Sequence, residues 1–160
     1  MAVVTTIPVK HGLILLDPES YDLVKEYKWT SWQSSPEKPI YAVGKKSGTK
    51  KLVYLHRLLK GFPAGKVVDH KNGNGLDNRL KNLRVCYSGQ NNMNQKKTRG
   101  SSRFKGVSWS KTRDKWRAEI AIHRKTTVIG YFEDEVEAAR AYNFQALKIH
   151  GEFAKINEGV

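Results

Sequence analysis

The chain has 160 residues, 39% of them hydrophobic and 28% charged, with 29 Lys+Arg against 15 Asp+Glu and a net charge of +14. That length suits one ordinary domain or two small ones, and the composition is globular rather than disordered. The positive excess points to a polyanionic partner, nucleic acid ahead of a membrane surface; no apolar run approaches the roughly 18 residues of a bilayer span.

The opening "MAVVTTIPVKHG" lacks the charged start and long apolar segment of a secretory signal, so the expected address is a cell interior. "GLILLD" reads as a strand. Asp17-Pro18 then suits a helix start, predicting a short helix through Tyr27. "PIYAVGKKSGTKKLVYL" reads as two strands around a turn at Ser47-Gly48, and "HRLLKGFP" as a short helix stopped by Gly61 and Pro63. Val67-Val68 opens a strand that ends on Asp69-His70, and Leu83–Tyr87 reads as a second strand. The single cysteine, Cys86, excludes a disulfide framework and is expected to be a buried strand residue.

A polar, basic stretch, Asn94–Arg103, reads as a linker between two units. Eleven basic and two acidic residues lie between Asn94 and Lys125, whereas the tail from Thr126 carries three basic and six acidic ones. "FKGVSWS", "KWRAEIAIH" and "TTVIGYF" read as three strands. In the middle one Trp116, Ala118, Ile120 and Ile122 alternate with Arg117, Glu119, Ala121 and His123, the pattern of a half-buried strand. "DEVEAARAYNFQALKIHG" reads as a helix, with Asp134 and Glu137 at capping-box spacing and an apolar stripe of Val136, Ala139, Tyr142, Ala146 and Ile149. One striped helix covers one sheet face, leaving the other face to the basic residues.

Asp69-His70 and the asparagines after it admit three readings. A calcium loop fails on spacing, because counting from Asp69 puts Lys71 and Gly73 at ligand positions and Asn74 where glycine is required. "KNGNGLDN" can be only a long hairpin loop, since Asn, Asp and Gly make turns by bonding nearby backbone. The third reading is a hydrolytic metal site, with oxygen ligands from Asp69 and Asn91, His70 as a proton acceptor, and an amide such as Asn82 holding its ring.

"LHRLLKGFPAGKVVDHKNGNGLDNRLKNLRVCYSGQNNMN" resembles the core of HNH nucleases of the phage and group I intron homing type, over about Leu55–Gln95. The resemblance implies a ββα-metal fold, with Asp69 and Asn91 as metal ligands, His70 as general base and Asn82 orienting it. Many members place a histidine where this chain has Asn91, and an all-oxygen set favours a hard ion, Mg2+ or Mn2+, over zinc. Arg57 or His56 is expected to help hold the phosphate. Products with 5′-phosphate and 3′-hydroxyl ends are implied.

Ser102–Asn157, with "KGV", "IGYF", "EAARAYN" and "AKIN", resembles the APETALA/ethylene-response-factor DNA-binding domain. This implies a three-stranded sheet laid on DNA with a helix behind it. Lys105, Trp109, Lys111, Arg113, Arg117, Glu119, Arg124 and Lys125 are the expected DNA contacts. Ala121, Thr126 and Val128 stand where that family carries basic or tryptophan residues, so its sequence preference does not carry over.

The expected fold is therefore α+β: an HNH unit at 1–95 with its ββα-metal core at about 64–95, a basic linker at 96–102, and a sheet-plus-helix DNA-binding unit at 103–157. The expected function is a metal-dependent, homing-type endonuclease acting on double-stranded DNA. It is expected to be a monomer, phage-encoded in a bacterial cytoplasm, without a membrane or a small-molecule cofactor. The alternative is a non-catalytic DNA-binding regulator with a decayed nuclease unit.

Overall fold

The computed structural model describes residues 3–95, 100–122 and 125–160. The chain falls into two compact units, Met1–Asn91 and Asn92–Val160. Arg124 and most of the expected linker lie outside the described residues.

The first unit opens with an antiparallel hairpin of β1 (Thr5–Val9) and β2 (Gly12–Leu16). A 3-10 turn at Pro18–Ser20 runs into the one-turn helix α1 (Tyr21–Val24). The helix was expected to reach Tyr27. It stops at Val24 because the Trp29 indole Nε1–H donates to the Val24 carbonyl at 3.0 Å, and Tyr27 already begins a strand. β3 (Tyr27–Trp32), β4 (Tyr41–Lys46) and β5 (Leu52–Tyr54) form an antiparallel sheet in that order. Trp29 opposes Gly44 and covers it, so a Cβ on Gly44 would lie 2.6 Å from the indole.

α2 (Leu55–Leu59) follows directly and ends in a Schellman arrangement. Gly61 N–H bonds the Leu58 carbonyl, Phe62 N–H bonds the Arg57 carbonyl, and Gly61 takes a φ of 66°. The hairpin of β6 (Val67–His70) and β7 (Leu83–Cys86) comes next, then α3 (Ser88–Met93). The core of this unit gathers Ile14, Leu16, Val24, Ala42, Leu55 and Leu76, so one residue of the long β6–β7 loop belongs to it.

In the second unit β8 (Val107–Ser110), β9 (Lys115–Ile122) and β10 (Lys125–Phe132) make an antiparallel sheet with β9 central. α4 (Glu135–His150) packs on one face through Ala138, Ala139, Tyr142 and Ala146. Asp134 caps it, its carboxylate accepting from Val136 N–H at 2.8 Å and Glu137 N–H at 2.9 Å. The stripe was expected to include Ile149, which instead is 39% exposed in the last turn. Gly106, with a φ of 74°, lets the helix approach: a Cβ there would sit 2.0 Å from the Tyr142 ring. The tail is pinned by Asn157, which exchanges hydrogen bonds with the Lys105 backbone and with the Asn143 side chain.

Candidate functional site

The β6–β7 loop is a network of amides. Asn72 Oδ1 accepts from Asn74 N–H, Asn74 Oδ1 accepts from Leu76 N–H, and Asn72 Nδ2 donates to Asp77 at 2.9 Å. Asp77 is 2% exposed and takes a two-pronged bond from Arg79, both contacts at 2.7 Å. That guanidinium hydrogen bond is the main reason the Asp77 carboxyl is held below the usual carboxylate range.

The loop is also anchored to the N-terminal hairpin. Leu15 forms a parallel bridge with Asp77, Leu15 N–H bonds the Leu76 carbonyl at 2.9 Å, and Asn78 N–H bonds the Leu15 carbonyl at 2.8 Å. Asp17, expected as a helix cap, makes no side-chain cap bond; its Oδ2 accepts from Leu80 N–H at 2.6 Å. Gly75 packs so closely that a Cβ would lie 2.3 Å from the Ile40 carbonyl oxygen.

Asp69 and His70 end β6, both buried. Asp69 faces Arg84 across the hairpin, and the Arg84 Nε and Nη2 donate to its Oδ2 at 2.9 and 2.7 Å. The pairing follows from hairpin register, a signal the sequence reading did not use.

The His70 ring Nε2 lies 3.3 Å from Asn78 Oδ1. Asn78 is fully buried, and its Nδ2 donates to the Gly75 carbonyl, which turns its oxygen toward the histidine. Asn82 was expected in this role. Instead it locks the loop: its Oδ1 accepts from Asn72 N–H, and its Nδ2 donates to the Asp77 carbonyl at 2.7 Å. The correction has a simple cause. The loop folds back on itself, bringing position 78 to the ring and leaving position 82 at the foot of β7.

Burial lowers the His70 pKa below its ordinary value, opposed by the Asn78 bond and by the charges of Asp69 and Asp77. His56 of α2 packs edge-on against it, ring centroids 5.0 Å apart, and Tyr41 lies 6.0 Å from it. His56 is pushed down to about 3, first by burial and then by His70 and Arg57. Its Nδ1 is buried without a hydrogen-bond partner. Burial and the Asp69 charge push the Tyr41 hydroxyl up. Tyr41 and Tyr54 were not expected as neighbours of the site; only the folded β4–β5–α2 arrangement places them there.

Asn91 stands half-buried on α3, its N–H bonded to the Tyr87 carbonyl. Among the described residues no group of three or more His, Cys, Asp or Glu is gathered for a metal. Asp69 and Asn91 carry a carboxylate and an amide oxygen, donor types that suit a hard divalent cation, and Arg84 holds the Asp69 Oδ2. Arg57, expected to hold a phosphate, instead braces the α2–β6 connection, donating to the Pro63 and Lys66 carbonyls.

On the second sheet the expected contacts divide by face. Directly opposed residues of antiparallel strands share a face. Arg117 opposes Ser108 and Tyr131, and Glu119 opposes Val128, all on the face away from α4. Arg117 Nη2 pairs with Glu119 at 2.9 Å, and Arg113 lies over the Tyr131 ring at 4.5 Å, so Arg113 joins this face. Lys111 is exposed in the β8–β9 turn. Trp109 opposes Trp116, which packs into the helix-side core, and the two rings meet at 5.1 Å. Lys125 opposes Ile122 and so also falls on the helix side. Lys105 turns its Nζ onto the Met93 and Gln95 carbonyls, and burial, then Lys155, pushes it down to about 8. Trp109, Lys105 and Lys125 thus lie off the Arg117 face, by the pleat and by the Lys105 hydrogen bonds.

A family model described as HNH endonuclease matches residues 53–93. Protein 3.8 of Escherichia phage T7 is 33% identical over 95 residues, covering 59% of this chain and 78% of that protein. An uncharacterized HNH endonuclease, L560, of Acanthamoeba polyphaga mimivirus is 30% identical over 141 residues, 88% of this chain and 72% of that protein. APETALA2-like protein 2 of Oryza sativa subsp. indica is 41% identical over 61 residues, which is 37% of this chain but 14% of that protein. The length and identity of the viral matches, together with the hairpin that carries Asp69 and His70, place this chain in the HNH endonuclease family.

Proposed function

We propose that this protein is a metal-dependent DNA endonuclease of the homing type, in which His70 is the general base for phosphodiester hydrolysis. The observation that carries the reading is the His70–Asn78 contact at the end of β6. If the Nε2–H donates to Asn78 Oδ1, the lone pair sits on Nδ1, the atom that would take a proton from water. Burial favours the neutral ring, the form that can accept a proton. Asn78 is then the residue that orients the base, and Asn82 the residue that holds the loop in shape.

Asp69 and Asn91 would hold a hard divalent ion, Mg2+ or Mn2+, in the ββα-metal arrangement. Bound there, such an ion offsets charge on the phosphate and the leaving 3′ oxygen. Arg84 fixes the Asp69 carboxylate in place.

The second unit reads as an APETALA/ethylene-response-factor-like DNA-binding domain that positions the nuclease. Its open face offers Arg113, Arg117 and Glu119 to base edges and phosphates, with Lys111 at the rim. Neutralising about six phosphates would give a log–log salt slope near −5.

The test is supercoiled plasmid nicking with Mg2+ by wild type and by His70→Ala. Loss of nicking in the variant is expected. Equal cutting by both sinks the base assignment; inertness of both across several DNAs and metals supports instead a DNA-binding regulator with a decayed nuclease.

A further inference from the structure

We propose that the outward face of the β3–β4–β5 sheet is a second DNA-seating surface, linked by ring contacts to the His70 site, which holds the duplex beside the cut. This rests on the cleavage reading above and extends it to a surface that neither the nuclease hairpin nor the C-terminal sheet supplies.

The face is defined by register. Lys28 opposes Lys45, which opposes Leu52; Thr30 opposes Val43, which opposes Tyr54; Trp32 opposes Tyr41. All share one side of the sheet, the side opposite Trp29 and Ala42, which belong to the core. Lys28, Thr30 and Lys45 are exposed, Leu52 is 50% exposed and Trp32 44%.

Val43, at the middle of the face, is 2% exposed, and beyond it ring contacts lead toward the site. Trp32 meets Tyr54 at 6.3 Å, Tyr54 meets Tyr41 at 6.0 Å, and Tyr41 meets His70 at 6.0 Å. From Tyr41 to Lys45 the strand covers roughly 13 Å, at about 3.3 Å per residue. That is about four base-pair steps of 3.4 Å.

Its charge fits a polyanion. No acidic residue lies among the eight side chains of this face. Lys28 and Lys45 are directly opposed, an arrangement that like charges disfavour. Neither has an acidic partner among the described residues, in contrast to Lys46, paired with Glu26 at 2.8 Å on the other face. A phosphate lying between two opposed lysines would relieve their repulsion. Exposed aromatic and aliphatic groups beside them suit sugar and base edges rather than a small anion.

The experiment compares Lys28→Ala/Lys45→Ala with a charge-matched control, Lys10→Ala/Lys25→Ala, in the full chain. Binding to a duplex is followed across salt concentrations, and plasmid nicking at saturating DNA. The face variant is expected to fold normally and to show a log–log salt slope shallower than the control's by about 2, since each phosphate contact contributes about 0.9. Trp32→Ala should weaken duplex binding severalfold. A wild type that cuts DNA, with face and control variants indistinguishable in slope, overturns the platform alone. A wild type that binds no DNA overturns the cleavage reading and the platform with it. Loss of affinity for duplex RNA but not DNA in the face variant also overturns it.

Discussion

Asn78 and His70 meet side chain to side chain at 3.3 Å, although the two residues stand at opposite ends of a turn that looks in sequence like mere punctuation. The amide is held from behind by the Gly75 carbonyl, so its oxygen cannot turn away without breaking a buried bond. Replacing Asn78 with Ala should therefore lower kcat for nicking about 10- to 100-fold, the range for loss of a group that orients a catalytic ligand or base. KM should change little. An Asn78→Ala enzyme with wild-type kcat would remove Asn78 from the mechanism.

Asn82 should behave differently. Its bonds go to the Asn72 backbone and side chain and to the Asp77 carbonyl, all within the loop. Asn82→Ala is expected to lower stability by about 1–3 kcal/mol through the unpaired buried groups it leaves. Urea unfolding read beside nicking rates would separate the two asparagines: both variants lose stability, since Asn78 is fully buried too, but only Asn78→Ala is expected to lose kcat under conditions where the protein stays folded.

Arg84 and Asp69 form a buried ion pair, each about 8% exposed at the side chain. Removing one partner of such a pair strands a charge away from water. Arg84→Ala should cost about 3–5 kcal/mol, visible as a lower urea midpoint at unchanged slope.

The buried His56 predicts an acid-sensitive fold. Its folded pKa of about 3 lies below the ordinary 6.5, so on acidification the unfolded chain binds the proton first. Stability from this group is complete above pH 6.5 and is lost progressively as pH falls toward 3. His56→Phe should flatten that limb of the urea-midpoint profile. An unchanged limb would show that other groups set it.

Gly75 and Gly73 differ by surroundings. Gly73 has a φ of 74° in open space, so Ala there meets only backbone strain, on the order of 1–2 kcal/mol. Gly75 meets the Ile40 carbonyl at 2.3 Å, where backbone cannot yield cheaply. Gly75→Ala should be the more damaging of the two in both thermal unfolding and nicking.

Much of this was readable from residue order. The alternation of Trp116, Ala118 and Ile120 marks the helix-side face of β9, and Asp134 caps α4 as its spacing implies. Hairpin strands and the acid–histidine pair at the end of β6 follow from local pattern. What escaped depends on long-range packing. Nothing local distinguishes Asn78 from Asn82, because which amide reaches the ring is decided by how the loop folds over Gly75. Asp17 has the look of a cap, yet its carboxylate is taken by Leu80, 63 residues away. β3 went unread, since the expected helix ends on its first residue and its alternation includes two tryptophans with different fates: Trp29 in the core, Trp32 outside. Lys125 and Trp109 were placed by charge and aromaticity, whereas strand register assigned them to the opposite side.

The bridge from Leu15 to Asp77 has a consequence for how the β6–β7 element can be moved or trimmed. A fragment starting at Ala64 would carry Asp69, His70, Asn78, Asn82 and Asn91, yet it would lack the strand that its loop pairs with and the carboxylate that Leu80 binds. The β6–β7 hairpin with α3 is not a portable cassette. Grafting it into another protein would require an acceptor strand in place of β2, and shortening the N-terminus past Leu16 should cost activity before any residue of the site is touched.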